Sequence, residues 1–478
     1  MSEINKEKDV NFRDRLSTVD DSGKRRWIYP KKPKGTWYNR RKIVAFLLIL
    51  VLLVLPFLKY ENEPLFLLNI FERKFIIFGM VFTPQDFHLF AIGMVALMIF
   101  IVLFTFVFGR FFCGWLCPQT IFMELVYRRI EYMIEGDAGS QKRLNEGPWD
   151  NSKIFKKVLK HLIFIALAFL FVSFGLAFIV GIEHIGETWV NPLANTTMFT
   201  VIFIISMLFY FIFAFFREQV CTNVCPYGRM QSVLLVDDSI VVHYDFYRGE
   251  KRASQKERNQ KIKSGEAKED DFGDCIDCNQ CVAVCPTGID IRNGTQLECV
   301  NCTACMDACD AVMEKIHKPK GLIRYASEYS IKNREPFKFS TRAKAYSGVL
   351  VLILGLLTIV ALNRVKVEGI ILRTPGMTYQ YAEGDTTHIV NLYNYKLINK
   401  TSGDIHNVEF KVINIKEAVL KPIPAKIDLI PKFGRATGSI IVTIPVSAMK
   451  GYKTPIKFQV LADGKLVDEP ETNFLGPH

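Results

Sequence analysis

Five apolar runs in this 478-residue chain approach the roughly 20 residues that a helix needs to cross a bilayer. They lie at about Ile43–Leu58, Phe87–Gly109, Leu159–Ile182, Thr197–Phe216 and Tyr346–Leu362. Hydrocarbon offers no partner to an open backbone group, so runs of this length are expected to be helical. The fold class is therefore an α-helical polytopic membrane protein with about five transmembrane helices. The first run is not a cleaved signal peptide, because 42 residues precede it and no small-residue cleavage site follows. A further apolar stretch, Phe66–Phe82, is broken by Glu72, Arg73 and Lys74 and is expected to lie at the membrane interface. Half of the residues are hydrophobic and 38 are Phe, yet 23% are charged, so sizeable polar parts accompany the spans.

Lys and Arg counts orient the spans. The tail to Lys42 has thirteen, the loop from Tyr60 to Asp86 two, and the loop from Arg110 to Lys160 nine. The loop from Glu183 to Asn195 has none, and the segment from Arg217 to Lys344 has twenty. This alternation puts the N-terminus in the cytoplasm and the C-terminus outside. Arg364, Lys366 and Arg373 are a mild counter-signal. The net charge of +12 thus reads as a set of topology determinants, and no nucleic-acid partner is expected.

Between the second and third spans, Ile121, Phe122, Leu125, Val126, Ile130 and Met133 recur at helical spacing, with Arg128, Arg129 and Glu131 off the stripe. This predicts an amphipathic helix over Gln119–Ile134 lying on the inner membrane face. Beyond Gly369 the period changes to two. Tyr393, Tyr395 and Leu397 alternate with polar residues, as do Val408, Phe410 and Val412, then Ile440, Val442 and Ile444, then Ile456, Phe458 and Val460. Ala462-Asp463-Gly464-Lys465 follows as a turn signal. Short strands in this pattern predict a β-sandwich with a binding or docking role.

All 12 cysteines lie between Cys113 and Cys309, and the last 169 residues contain none, which excludes a disulfide-stapled secreted fold. Cys275, Cys278, Cys281 and Cys285-Pro286 have the spacing C-x2-C-x2-C-x3-C-P, and Cys299, Cys302, Cys305 and Cys309 repeat it 24 residues later. This is the bacterial two-cluster ferredoxin pattern, in which the fourth thiolate of each half ligates the other cluster. Cys275, Cys278, Cys281 and Cys309 are expected to hold one [4Fe–4S] cluster, and Cys299, Cys302, Cys305 and Cys285 the other. Asp310 stands where the second Pro would be, which alters the turn and not the ligand count. A zinc site or eight plain buried thiols would leave the duplicated frame unexplained.

The remaining cysteines form two C-x3-C-P motifs, Cys113 and Cys117 after the second span and Cys221 and Cys225 after the fourth. Spacing i, i+4 sets two thiols on one helix face. Soft thiolates favour Cu(I). Two such pairs at one membrane depth point to a metal or redox role, against the plainer reading of buried thiols at helix ends, and whether they form one site stays open. His88 and His184, beside Asp86 and Glu183, read as interfacial polar anchors, with a quinol or metal site as the alternative.

Gly109-Arg110-Phe111-Phe112-Cys113-Gly114-Trp115 with Cys117-Pro118-Gln119-Thr120 resembles the signature of the CcoG/FixG/RdxA family. Arg217-Glu218-Gln219-Val220-Cys221 with Cys225-Pro226-Tyr227-Gly228-Arg229 is similar to its second motif. Thr287-Gly288-Ile289-Asp290-Ile291-Arg292 and Gly321-Leu322-Ile323-Arg324-Tyr325 also look like family segments. The resemblance runs from about Ile28 to Tyr325 and implies an immunoglobulin-like domain outside the membrane. It further implies reduction of Cu(II) to Cu(I) for assembly of a cbb-type haem–copper oxidase, with Cys113, Cys117, Cys221 and Cys225 as copper-handling catalytic thiols. Oxidase subunits or copper chaperones are the implied partners, and the electron donor stays open. Two alternatives remain at this point: a quinol-oxidising electron relay of the nitrate-reductase ferredoxin type, and an oxidase-assembly scaffold without redox work.

The expected organisation is a basic cytoplasmic tail (1–42), a four-helix region with the first short motif (43–216), and a cytoplasmic segment (217–344). That segment carries the second short motif and a dicluster module at about 270–316. A fifth span (345–363) and an outer β-sandwich (364–478) complete it. Alkaline phosphatase fused after Gly464 should therefore be active, and fused after Gly288 inactive. The reverse pattern would overturn the charge-count orientation.

Overall fold

The structure is a computed structural model that describes residues 22, 24–60, 63–71, 74–78, 80–82, 86–335, 340–363, 367–376, 378–382, 385–401, 403–415 and 417–477. Most of the basic tail, together with Glu72, Arg73, Arg364 and Lys366, lies outside the described residues. Four described helices are long and apolar enough to cross a membrane: Phe87–Phe108, Asn151–Val180, Thr196–Phe216 and Thr341–Leu362. A fifth, Thr36–Val54, carries the first apolar run, with Arg40, Arg41 and Lys42 in its N-terminal half. Its first turn has no local side-chain cap. The carboxylate of Asp307, some 270 residues away in sequence, instead accepts the amides of Trp37 (3.1 Å) and Tyr38 (2.7 Å). That satisfies two of the four orphan donors of a helix start. A Cβ on Gly35 would meet Asp307 at 2.2–2.5 Å, so only glycine admits the carboxylate there.

The described residues fall into two compact units, one within Met1–Phe57 and Gly93–Leu354, the other within Leu58–Ile92 and Gly355–His478. In the first, the expected inner-face helix is present as a run of helical segments, Pro118–Thr120, Ile121–Tyr127 and Arg128–Ile134. Its faces depart from the expectation. Ile121–Tyr127 is a π-helix. An i→i+5 turn holds more residues than an α-turn and rotates everything after it. Met133 is consequently 70% exposed, whereas Arg128 and Glu131 are 1% and 3% exposed.

These buried charges are paired. Arg217 grips Glu131 with both terminal nitrogens (3.1 and 2.8 Å). Arg128 bonds Glu124 and lies 3.4 Å from Glu218. Lys160 reaches Glu135 (2.9 Å) and Glu131 (3.6 Å), and Lys157 reaches Glu135 (2.8 Å). Burial is tolerable for such groups only when each is matched. The fork on Glu131 also holds Arg217 at φ 55°, where the π-helical end of the fourth span, Ile212–Phe216, turns into the second short motif.

The second unit is an antiparallel β-sandwich. One sheet has the order Val419–Ile423, Arg435–Pro445, Asp385–Asn399, Val367–Arg373, and the other Ile427–Ile430, Ile405–Val412, Lys453–Ala462, Lys465–Asp468. Tyr393, Leu397, Ile440, Val442, Ile444, Ile456, Phe458 and Val460 fill the space between them. These are the residues of the period-two pattern, as strand geometry requires of inward positions. The Asp463-Gly464 turn has positive φ at both residues and closes a hairpin.

The stretch Phe66–Phe82 forms a three-stranded sheet, Phe66–Asn69, Lys74–Ile77 and Met80–Phe82. Its Leu67 and Ile76 are buried with Phe433 of the sandwich, which accounts for the apolar residues that the charges interrupt. Lys400 Nζ, also in this unit, lies 2.7 Å from Asp86 and 2.8 Å from Glu368. The Lys400 and Asp86 side chains are only 6% and 2% exposed. Truncation of one member of a buried pair leaves an uncompensated charge, so Lys400→Met should destabilise this unit by about 3–5 kcal/mol. Denaturant melts of the purified chain check this, and an unchanged midpoint would show the pair to be energetically idle.

Candidate metal centre

Cys275–Cys281 and Cys299–Cys305 form two loops of matching backbone. Asp277 and Asn279 flank Cys278 at φ 50° and 54°, and Asn301 and Thr303 flank Cys302 at φ 53° and 63°. Left-handed residues on both sides of a cysteine wrap the chain tightly round its sulfur. Asn279 and Thr303 then open the helices Gln280–Ala283 and Ala304–Lys315. The first helix stops before Cys285-Pro286. The second runs on through Cys309 and Asp310, which is possible because position 310 has no proline to break it. Asp310 uses its carboxylate to accept the amide of Gly321 (2.8 Å).

The eight cysteines gather round two cavities. Cys275, Cys278, Cys281 and Cys309 line one, closed by Tyr244, Met313, Leu322 and Ile323. Cys285, Cys299, Cys302 and Cys305 line the other, with Cys281 also in its wall. Among the described residues no three His, Cys, Asp or Glu side chains stand close enough to hold one metal ion. The thiols therefore surround spaces and do not converge on points, an arrangement suited to a cluster of metals and not to one zinc ion with bonds of about 2.3 Å.

The chemistry of the donors agrees. Burial pushes Cys281, Cys299 and Cys309 up to about 12 and Cys302 to about 11, against ordinary thiols near 9. Mutual repulsion adds to this, and backbone amides and nearby arginines oppose it. Amides of Thr287, Gly288 and Ile289 are aimed at Cys285. Four thiolates so buried require a cationic occupant, and an iron–sulfur cubane fits.

The two short motifs share one local turn. Cys113 sits in the helix Phe111–Trp115 and Cys221 in the π-helix Val220–Val224. The second cysteine of each is extended and precedes a helix whose first residue is the motif proline. The Cys117 amide bonds Phe112 O (2.9 Å) and the Cys225 amide bonds Val220 O (2.8 Å), five residues back in both cases. Two thiols thus bracket a turn and do not share a continuous helix face, as i, i+4 spacing alone suggests.

Cys117 and Cys225 bear electrostatically on Cys113 and Cys221, although among the described residues no three of these thiols stand close enough to hold one metal ion. Burial pushes Cys113 up to about 12, with Cys117 and Cys225 adding to it, and Cys221 likewise, with Cys117, Cys113 and Cys225 adding. Cys113 donates to Gln231 Oε1 (3.2 Å), while the Gln231 amide nitrogen is buried without a partner. Metal binding there must displace thiol protons. The thiol set also abuts the dicluster module: Cys113 and Cys221 pack in one apolar group with Cys302, Val284, Val300 and Ala304.

Two buried arginines clamp that junction. Arg41 donates to Gly114 O and Cys302 O, both at 3.0 Å. Arg110 donates to Leu297 O and Gly228 O. Trp115 Nε1 donates to Tyr325 Oη (2.9 Å), which itself reaches Asn301 O (3.2 Å).

His88 and His184 do not join either site. His184 lies 4.0 Å from Glu187 with its side chain about half exposed. Sequence reasoning missed Arg41, Gln231, Asp307 and Tyr325 as parts of the centre. Arg110 and Tyr325 stand inside the quoted motifs, which is the one signal that marks them.

Comparison with known proteins adds to this geometry. A family model described as "4Fe-4S dicluster domain" matches residues 216–328. One described as "4Fe-4S binding domain" matches residues 90–134 and 196–235, and "IG-like fold at C-terminal of FixG" matches 357–477. The chain is 36% identical over 310 residues to the nitrogen fixation protein FixG of Rhizobium meliloti, covering 64% of this chain and 58% of that protein. It is 32% identical to Protein RdxA of Cereibacter sphaeroides over 62% of each chain, and 32% identical to Protein RdxB over 63% of each. The chain is thus similar to the FixG and RdxA proteins over its iron–sulfur part, and to FixG in its C-terminal domain. It spans about six-tenths of the length of these FixG and RdxA relatives. A crystal structure of a FixG-related protein from Vibrio parahaemolyticus aligns with 23% of this chain and 95% of its own, at 14% identity and a TM-score of 0.20, too low to bear on the fold. With its family models and its apolar helices, this chain, related to FixG and RdxA, is an iron–sulfur electron-transfer protein of the membrane.

Gly114 tests the junction. A Cβ there would lie 2.5 Å from Val300 O and 2.6 Å from Asn301 O, and backbone carbonyls cannot step aside cheaply. Gly114→Ala should cost about 1–3 kcal/mol as an overpacked contact. Gly175→Ala, with nothing within 4 Å of the added methyl, should cost far less. Equal melting temperatures for the two variants would refute the close approach.

Proposed function

We propose that the chain is a membrane-bound iron–sulfur oxidoreductase that reduces Cu(II) to Cu(I) for assembly of a cbb-type haem–copper oxidase. Cys275, Cys278, Cys281 and Cys309 hold one [4Fe–4S] cluster, and Cys285, Cys299, Cys302 and Cys305 the other. When bound, each cluster supplies a one-electron store. Cys113, Cys117, Cys221 and Cys225 hold the copper. The observation that carries this reading is the packing of Cys113 and Cys221 against one apolar group that includes Cys302, a residue of the second cavity's wall.

The protein's own groups do the rest. Cys281 joins the two cavities, so a path exists from the first through the second to the thiol set. Arg110 opposes the repulsion on both Cys113 and Cys299, and Arg41 does the same at Cys302. Fixed positive charge at this junction stabilises sulfur-rich, electron-rich sites in a water-poor surround. The step balances as Cu(II) plus one electron giving Cu(I), with no proton or ligand transferred. Soft thiolates favour the reduced ion, and release then requires a partner of similar softness, a copper chaperone or an oxidase subunit. The reading places the chain in a bacterial inner membrane, with the dicluster module cytoplasmic and the β-sandwich outside as a docking module.

A second reading has a specific observation behind it. The model described as "4Fe-4S binding domain" matches both segments that carry the short motifs. Four thiols are also the ligand count of a further cubane, which would make the chain a three-cluster relay.

Metal analysis separates the two. Two clusters require about eight iron atoms per chain and three require about twelve. Changing Cys113, Cys117, Cys221 and Cys225 together to Ser should leave the iron count near eight, abolish tight Cu(I) binding and remove most cupric reductase activity. Loss of about four iron atoms in that variant, with unchanged copper binding, would establish the relay instead. Zinc without acid-labile sulfide in the parent protein would overturn both.

A further inference from the structure

Reduction by this chain needs a place where electrons enter. Among the described residues, Cys278 is the one exposed cysteine of the eight in the dicluster module. It lines the first cavity, which meets the second at Cys281, and the second is the one that abuts Cys113 and Cys221. Cys278 is therefore the solvent end of the path.

The surface next to Cys278 is built and basic. Arg292 bonds Asp277 and Asn279, the two neighbours of Cys278, and also Asp290. Against the effect of burial, Arg292 and then Arg252 hold the Asp290 carboxyl below its usual range, which places Arg252 beside the same loop. Lys31 donates to Gln280 Oε1 (3.2 Å). The helix Gln255–Lys263 is buckled to the loop by Arg258, which donates to Gly273 O and Cys275 O, both at 2.6 Å. A capping box of Ser254 and Glu257 fixes its start.

The acidic groups nearest Cys278 are matched: Asp277 and Asp290 pair with Arg292, and Asp274 with Arg248 and Lys318. Glu250 pairs with Arg252 (3.4 Å), while Glu266, Glu269 and Asp271 are exposed beyond the C-terminal end of the helix. Residues 251–263 contain six basic residues against one acidic, and Lys251, Arg252, Lys256, Lys261 and Lys263 are exposed. The helix has a single apolar residue, Ile262, and so lacks the apolar face that a helix needs to lie in a membrane surface.

We propose that this basic surface, from Lys31 and Arg252 to the helix Gln255–Lys263, is the docking site of a small acidic electron-carrier protein that delivers electrons at the Cys278 edge. This rests on the dicluster reading given above. The exchange balances as one electron lost by the carrier and one gained behind Cys278, with no atom transferred. Complementary charge steers such a partner and raises its rate of association.

The test uses the full chain in lipid nanodiscs, mixed anaerobically with reduced plant-type ferredoxin as an acidic one-electron probe. Bleaching of the iron–sulfur absorbance gives the rate. The triple variant K256E/K261E/K263E should react at least about tenfold more slowly at low salt, and its rate should lose most of its salt dependence. Dithionite, which needs no docking, should bleach parent and variant to the same extent. Equal rates of the two with the carrier, or no reduction of the parent by it, would overturn the proposal. So would equal carrier rates combined with a loss of binding to phosphatidylglycerol vesicles in the variant, which would make the helix a lipid contact. Failure of dithionite to bleach either protein would refute the dicluster reading itself, and the proposal with it.

Discussion

A thiolate in a water-poor site must be met by positive charge, and the inner end of this molecule is arranged round that requirement. Eight cysteines surround two cavities, and four more lie beside them. Burial raises most of these thiols well above their ordinary range. Two buried arginines run through the junction, and amides are aimed at Cys285. These groups lower the cost of negative sulfur without filling the place of a metal. The same arginines bond backbone carbonyls of three segments, so the electrostatic requirement and the docking of the module are met by one set of contacts.

The second constraint is charge burial at the membrane's edge. Arg128, Glu124, Glu218, Arg217, Glu131, Lys160, Glu135 and Lys157 form a nearly closed network. Each partner makes the next one tolerable, and removal of any one would strand the others. The network joins the inner-face helical run, the third span and the turn after the fourth. Those elements lead directly into the two short motifs.

Much of the molecule was legible from residues alone, and the reasons are local. A span needs a long apolar run, and four such runs fold into the long helices. Inward positions of a strand recur every second residue, so Tyr393, Val442 and Phe458 were readable as core before any sheet was known. The repeat of x2-x2-x3 spacing marked the eight cysteines and their interleaved grouping. Where the reading failed, a non-local force had overridden a local pattern. Met133 lay on the apolar stripe of an ideal α-helix, but the π-helical turn before it rotated Arg128 and Glu131 into the protein. The sheet in Phe66–Phe82 was not legible either, because Leu67 and Ile76 are buried against Phe433, far away in sequence.

The sequence by itself determined which residues could be buried, which could cross lipid and which thiols were spaced to share a ligand. These are properties of short-range geometry, set by helical and strand periods and by the reach of a few bonds. Only the tertiary structure decided that Cys113 and Cys221 pack against the same apolar group as Cys302, and that Asp307 caps a helix about 270 residues away. Such contacts depend on the angles at which whole elements dock. Those angles come from the summed packing of many side chains and the pairing of buried charges, and no window of sequence contains both partners.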